Sequence, residues 1–415
     1  MTTHTTARRA RWGVMLAGLA LPMLLVVPGC AAAEPAGSAQ PAAAAATTPI
    51  VPRPAPAATE GLVIPGFPEY PALSPDGRFL VFSFAGDLWG ARTDAPVAAR
   101  LTAHAANETR SAFSPCGTRL AFESDRDGAR NLYVADLAEI DGKLVAAPAR
   151  RVTITDQNQL LGGWNAEGTH LYYADRREPG IYRQSRLWRV PVDGGPTERV
   201  TDAFGSAPNP GDDGSVVFQR GYAIQPRPIY RGPGALNLWR LESDGRFTRL
   251  TNFNGNDFEG HPLPDGSTVF ISSRDGQNNV HRLRPGATDD NPRNVEQLTR
   301  FAPAPGEHTI AHGVRDLTVS RNGRLAAFVV WDTIYTLDLT RQAARPEPRR
   351  IVITADTDTL DTNRLSLDRR VDEAAISPDG KTVAVAARGE VFVRATADDR
   401  PTRRVTRTHA REGEL

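Results

Sequence analysis

The chain has 415 residues, with 49 basic and 48 acidic side chains, and its only lysines are Lys143 and Lys381. That charge balance sets nucleic acid aside as a partner, because binding by counterion release needs a net positive surface. The length alone allows roughly two to three ordinary domains, so internal repetition decides the architecture.

The first thirty residues predict a secretory signal: Arg8, Arg9 and Arg11 form a basic region ahead of an apolar core from Gly13 to Val27. A transmembrane helix needs about 20 apolar residues, more than this core supplies. The core runs into Val27-Pro28-Gly29-Cys30, which resembles a bacterial lipobox with Cys30 as the lipid anchor. Cleavage within Ala31 to Ala33 is the alternative. An exported, periplasmic or membrane-anchored protein is expected, touching the membrane only through the lipid. With Cys30 acylated, Cys116 has no partner for a disulfide and packing alone must hold the fold. Residues 31–61, rich in Ala and Pro, read as a disordered tether.

From residue 62 onward one short pattern recurs seven times. A turn closes at Gly77, Gly117, Gly168, Gly214, Gly266, Gly323 and Gly380. An apolar strand follows, then a strand with a large aromatic, then a strand ending in Arg-Val/Leu-Thr. The first copy reads Ser74-Pro75-Asp76-Gly77, then Leu80-Val81-Phe82, Leu88-Trp89 and Arg100-Leu101-Thr102. In the turn, Pro presets φ, Asp tolerates the next position and Gly takes the left-handed conformation. Strands repeating at this spacing are the signature of a β-propeller. The second strands lack alternation because both faces pack against neighbouring blades. The third-strand aromatics read as core between blades. The closing motif reads as an outer-edge strand whose exposed Arg discourages edge pairing.

Motifs for chemistry are missing. The chain contains no Gly-x-Ser-x-Gly, no His-Glu-x-x-His and no phosphate-binding glycine loop, so no catalytic residue, cofactor or metal site is assigned. His308 and His312 share an i, i+4 spacing inside a Pro-rich, loop-like stretch, which argues against a metal pair. Asp356, Asp358 and Asp361 lack the glycine and distal Glu of a calcium loop. The most suggestive feature is an insertion from Gly221 to Asn237 in the fourth repeat, carrying Tyr222, Arg227, Tyr230 and Arg231. Long propeller loops often carry function, and an Arg there could hold a peptide carboxylate. Arg227, Tyr230 and Arg231 are therefore the candidate peptide contacts; loop packing is the competing reading.

Leu73-Ser74-Pro75-Asp76-Gly77 with Gly86-Asp87-Leu88-Trp89 resembles the opening blade of tricorn-protease homologues. Tyr230-Arg231-Gly232 before Leu238-Trp239 is similar to that family's fourth blade. Ile376-Ser377-Pro378-Asp379-Gly380, Ala387-Arg388-Gly389 and Arg404-Val405-Thr406 resemble its crossing from a first propeller into a second. The resemblance implies an all-β fold: a six-bladed β-propeller over residues 62–353, a linker at 354–370, and the first blade of a second, incomplete propeller at 371–415. One seven-bladed propeller is the alternative. It also implies a serine-protease core downstream of these residues, with this portion acting as a gating or docking platform for peptides or unfolded polypeptide. The family's basic pair for a substrate carboxylate would fall in Thr155-Asp156-Gln157-Asn158-Gln159, where there is no Arg. Enzymatic activity is not assigned to these residues themselves, and homo-oligomerisation is left open. The alternative function is a non-catalytic periplasmic propeller lipoprotein that binds protein partners, as the Tol-system propeller does.

Overall fold

The computed structural model describes residues 62–63, 67–95, 97–104, 106–178, 184–222, 226–302, 313–340, 349–351, 354–356, 371–397, 402–406 and 412. The signal and tether readings, Cys30, His308, His312, Asp358 and Asp361 lie outside them. The described residues are all-β apart from one short 3-10 turn at Pro292–Asn294.

Seven antiparallel sheets follow one another along the chain, one per repeat. Their first strands are Glu69–Leu73, Glu108–Phe113, Leu160–Trp164, Ser206–Pro210, Asp257–Pro262, Val314–Val319 and Glu373–Ile376. Each joins its second strand through the predicted glycine turn. In the first, the Gly77 N–H donates to the Ser74 carbonyl at 2.9 Å, and the Ser74 hydroxyl accepts from the Phe79 N–H at 2.9 Å. Gly77 has φ 77°, where a side chain would be strained. Cys116 replaces the turn Asp of the second repeat, its Sγ lying 3.1 Å from the Thr118 hydroxyl.

The second strands are buried on both faces, as their unbroken apolar runs require. Leu80, Val81 and Phe82 are 0 % exposed, as are Val269, Phe270 and Ile271. The third-strand aromatics Trp89, Tyr133 and Trp188 are buried between sheets. Seams of this kind run from sheet to sheet, and the sixth sheet packs back on the first: Ala327, Val329 and Ile334 share one cluster with Leu80, Phe82 and Trp89. The Asn322 N–H reinforces that seam by donating to the Pro75 carbonyl at 3.1 Å.

The closing Arg-Val/Leu-Thr motif does more than guard an edge. The Thr hydroxyl accepts a third-strand N–H in five sheets: Thr102 from Leu88, Thr153 from Leu132, Thr251 from Leu238, Thr299 from Val280 and Thr406 from Val391. Where the Arg is present its Nε donates to the same Thr's carbonyl, as with Arg100, Arg151, Arg249 and Arg404. The motif is thus a clasp that fastens the fourth strand to the third. An Asn at the start of the third strand completes it in three sheets. Asn279 donates to the Phe301 carbonyl at 3.1 Å and accepts from the Phe301 N–H at 2.7 Å and the Thr299 hydroxyl at 2.9 Å. Asn279 is buried, so Asn279→Ala leaves two donors and a carbonyl without partners. A loss of about 2–3 kcal/mol is expected, measured as a fall in the urea midpoint at unchanged slope.

Two features depart from the sequence reading. The spacer expected at 354–370 opens with a strand, Thr354–Asp356, that pairs parallel with Val97–Arg100 on the outer edge of the first sheet. Leu62–Val63 then pairs antiparallel with it, giving the first sheet six strands. Chain from both ends of the ring therefore meets on one sheet edge. The second departure is Arg388, at the hairpin tip of the seventh sheet. Its Nη2 donates to the Ala85 carbonyl at 3.0 Å and lies 3.6 Å from Asp87 Oδ2. The seventh sheet thus rests on the first sheet's hairpin tip, while Ile376 and Val405 on it stay 64 % and 50 % exposed.

Candidate functional site in the central channel

First-strand residues from six sheets line one central cavity of about 200 Å³. The seventh sheet lends it none. Each of these six strands breaks register with its neighbour by one residue, as a β-bulge does. In five of them the residue at the break is left-handed: Tyr70, Arg110, Ala207, Glu259 and Asp316, with φ between 43° and 54°. Each stands seven positions before its turn glycine. The third sheet places its break at Gly162. Left-handed backbone at a non-glycine residue costs about 1–3 kcal/mol and is kept only where its surroundings enforce it.

Hydrogen bonds between sheets supply that enforcement. The Tyr70 N–H donates to Asp316 Oδ2 at 3.4 Å, from the first sheet to the sixth. The Leu317 N–H donates to Glu259 Oε2 at 2.8 Å, and the Glu259 N–H donates to Gln219 Oε1 at 3.0 Å. The Trp164 indole N–H donates to the Ala112 carbonyl at 3.0 Å. Arg110 lies 4.3 Å over the Tyr70 ring, with Nε 3.4 Å from Glu123. Glu123 is fully buried and also accepts from the Leu161 N–H at 2.8 Å. Arg315 pairs with Asp316 beside it.

This crowding shifts the titration of the cavity wall. Burial, reinforced by the negative charge of Asp316, pushes Glu259 up to about 7. Burial pulls His261 down to about 4, so near neutral pH it is uncharged and its Nε2–H donates to the Leu317 carbonyl at 2.8 Å. Burial also raises Tyr70. The cavity therefore offers a carboxyl whose proton burial holds more tightly, a guanidinium and an aromatic face. Among the described residues no group of three His, Cys, Asp or Glu is placed to hold a metal ion.

Two of the three candidate side chains in the fourth-sheet insertion make contacts within the fold. Arg231 Nη1 donates to the carbonyls of Pro228 and Tyr230 at 2.9 and 2.8 Å, and Nη2 to the Ser273 carbonyl at 3.1 Å. Its guanidinium also lies 4.9 Å over Phe253. The Tyr230 hydroxyl accepts from the Gly234 N–H at 3.1 Å. Arg231 thus ties the insertion to the fifth sheet, while Tyr230 braces the insertion from within. Arg227 is exposed, and its carbonyl accepts from Asn256 Nδ2 at 3.0 Å. The channel residues went unnoticed in the sequence, although their constant offset from the turn glycines was a usable signal.

Comparisons with known proteins agree with this architecture. The model of the tricorn protease N-terminal β-propeller domain matches residues 65–332. Tricorn protease homolog 1 of Streptomyces coelicolor (strain ATCC BAA-471 / A3(2) / M145) is 27 % identical over 346 residues, which is 80 % of this chain and 29 % of that protein. The chain thus spans less than a third of that relative's length. The crystal structure of the tricorn protease superposes with a TM-score of 0.55 at 18 % identity, covering 83 % of this chain and 32 % of the other. TolB from Acinetobacter baumannii follows at a TM-score of 0.46 and 15 % identity, covering 70 % and 66 %. By the family match over residues 65–332, more than half of its length, the chain belongs to the tricorn protease N-terminal β-propeller family.

Proposed function

We propose that this propeller admits or docks peptides for a tricorn-like serine protease whose catalytic core lies outside the residues given. The observation that carries the reading is the ring of left-handed bulges. In a member of this family, it turns an aromatic, a guanidinium and two carboxyls toward one central cavity. Export and lipid anchoring at Cys30 belong to the same proposal and rest on the sequence of the first thirty residues. Arg227 stays in it as an exposed cation of the insertion.

Ala207→Tyr tests the reading. Tyr70 and Arg110 occupy the equivalent left-handed position in other sheets, so a large side chain there is tolerated by the backbone while it narrows the cavity. Fluorescent, uncharged eight-residue peptides should bind the unaltered chain, and Ala207→Tyr should weaken them at least about tenfold, some 1.4 kcal/mol, without lowering the unfolding temperature. Equal binding by both proteins would remove the channel from the mechanism. No binding to the unaltered chain would favour the non-catalytic, partner-binding alternative.

A further inference from the structure

In each of the first four sheets the closing-motif arginine stands across the strand pair from the third-strand aromatic of its own sheet. Arg100 faces Trp89, Arg151 faces Tyr133, Arg199 faces Trp188 and Arg249 faces Trp239. The first three are neutralised from within the fold. Arg100 pairs with Asp87 at 2.6 Å, Arg151 with Asp127 at 3.2 Å and Arg199 with Glu178 at 3.0 Å. Asp127 and Glu178 both come from the connection between second and third strands. In the fourth sheet that connection is the insertion, and residues 221–236 contain no Asp or Glu.

A cavity of about 460 Å³ opens beside Arg249 and Trp239. Arg249 and Arg220 both line it, with guanidinium carbons 5.7 and 4.9 Å from the Trp239 ring. Tyr222, Phe253, Asn252 and Asn254 also line it, and among the described residues no acidic residue does. The clasp to the Thr251 carbonyl fixes Arg249 through Nε at 3.0 Å and so directs its two terminal nitrogens elsewhere. Two guanidinium groups around one indole, in a polar cavity without a counter-charge, form an anion site. Planar, bidentate donors favour a carboxylate, the group that fills this place in the other three sheets.

We infer that the cavity beneath the insertion binds a carboxylate-bearing ligand, whose carboxylate bridges Arg220 and Arg249 beside Trp239. The site lies apart from the central channel and does not depend on the proposal made for it.

The test uses the full chain and five probes followed by Trp fluorescence and calorimetry: an acetylated, amidated hexapeptide with two internal Glu, its Gln counterpart, a neutral peptide with a free C-terminal carboxylate, succinate, and inorganic phosphate. At least one carboxylate probe should bind, its uncharged counterpart should bind at least about tenfold more weakly, and added salt should weaken the complex. Which probe binds separates an acidic side chain from a chain terminus or a free dicarboxylate. Arg220→Gln should abolish that preference, and Arg249→Gln should do the same. Since Arg249 also clasps its strand, Arg220→Gln, which breaks no such clasp, decides the matter if Arg249→Gln fails to fold. Binding unchanged in Arg220→Gln, no binding of any carboxylate probe, or a preference for inorganic phosphate over all of them would overturn the inference. Failure here leaves the Ala207→Tyr experiment untouched, because its probes carry no charge.

Discussion

Phe82→Ala is expected to cost about 3–5 kcal/mol, the range for truncating a fully buried phenylalanine. Phe82 is 0 % exposed, and its cluster draws Leu73, Leu80 and Trp89 from the first sheet and Ala327, Val329 and Ile334 from the sixth. It therefore sits in the seam that returns the ring to its starting sheet. On the sixth-sheet side Ala327 is small and Val329 and Ile334 are β-branched and stiff, so little is free to collapse into the cavity that the substitution leaves. Ile154→Ala, at a side chain 87 % exposed, serves as the control and should stay within about 0.5 kcal/mol. Urea unfolding followed by fluorescence and circular dichroism measures both. A loss below 1 kcal/mol for Phe82→Ala would mean that the seam does not close as described. A second readout is limited proteolysis, which should speed up at the strands on either side of the seam before it does elsewhere.

Stability should also fall as pH rises through the neutral range, and Glu108 should be a principal cause. Its side chain is 0 % exposed. One oxygen accepts from Arg126 Nη2 at 2.9 Å, while the other has no hydrogen-bond partner. Burial, with the nearby charge of Asp87 acting in the same direction, pushes Glu108 up to about 7; the Thr102 hydroxyl and Arg126 oppose the shift only in part. A carboxyl whose pKa is higher in the folded than in the unfolded chain holds its proton more tightly when folded. Its contribution is fully present below the unfolded value near 4.5 and is lost as pH climbs through about 7. The displacement corresponds to about 3 kcal/mol. His261 acts in the opposite sense: buried and neutral, with its pKa near 4, it favours the unfolded chain as pH drops below about 6.5. The informative quantity is therefore the difference between unaltered protein and Glu108→Gln. The variant should gain on the unaltered protein by about 3 kcal/mol between pH 4.5 and pH 8. A difference that stays flat with pH would show that Glu108 is not held in this way.

The seven repeats were legible because everything that makes one of them is close in sequence. The Ser74 carbonyl meets the Gly77 N–H three residues away, and Thr102 meets Leu88 across one short connection. Apolar runs marked the second strands because both faces are covered. The roles of Tyr230 and Arg231 were not legible, since a loop Arg looks the same whether it faces a ligand or reaches the Ser273 carbonyl of another sheet. The strand at Thr354–Asp356 escaped notice for a similar reason. The short stretch Thr-Ala-Asp becomes a strand only because the first sheet presents an unpaired edge to it, some 250 positions upstream.

The sequence by itself determined the all-β repeat, its turns and the family to which it belongs, because those depend on bonds made within a repeat. Tertiary structure alone decided which charges meet: Glu259 with Asp316, Arg388 with Asp87, and Arg249 with no acid in its cavity. Those pairings cross between sheets, or fail because an insertion has displaced a partner. The energy of a charge depends on its neighbours and its access to water, and neither is written in the local pattern.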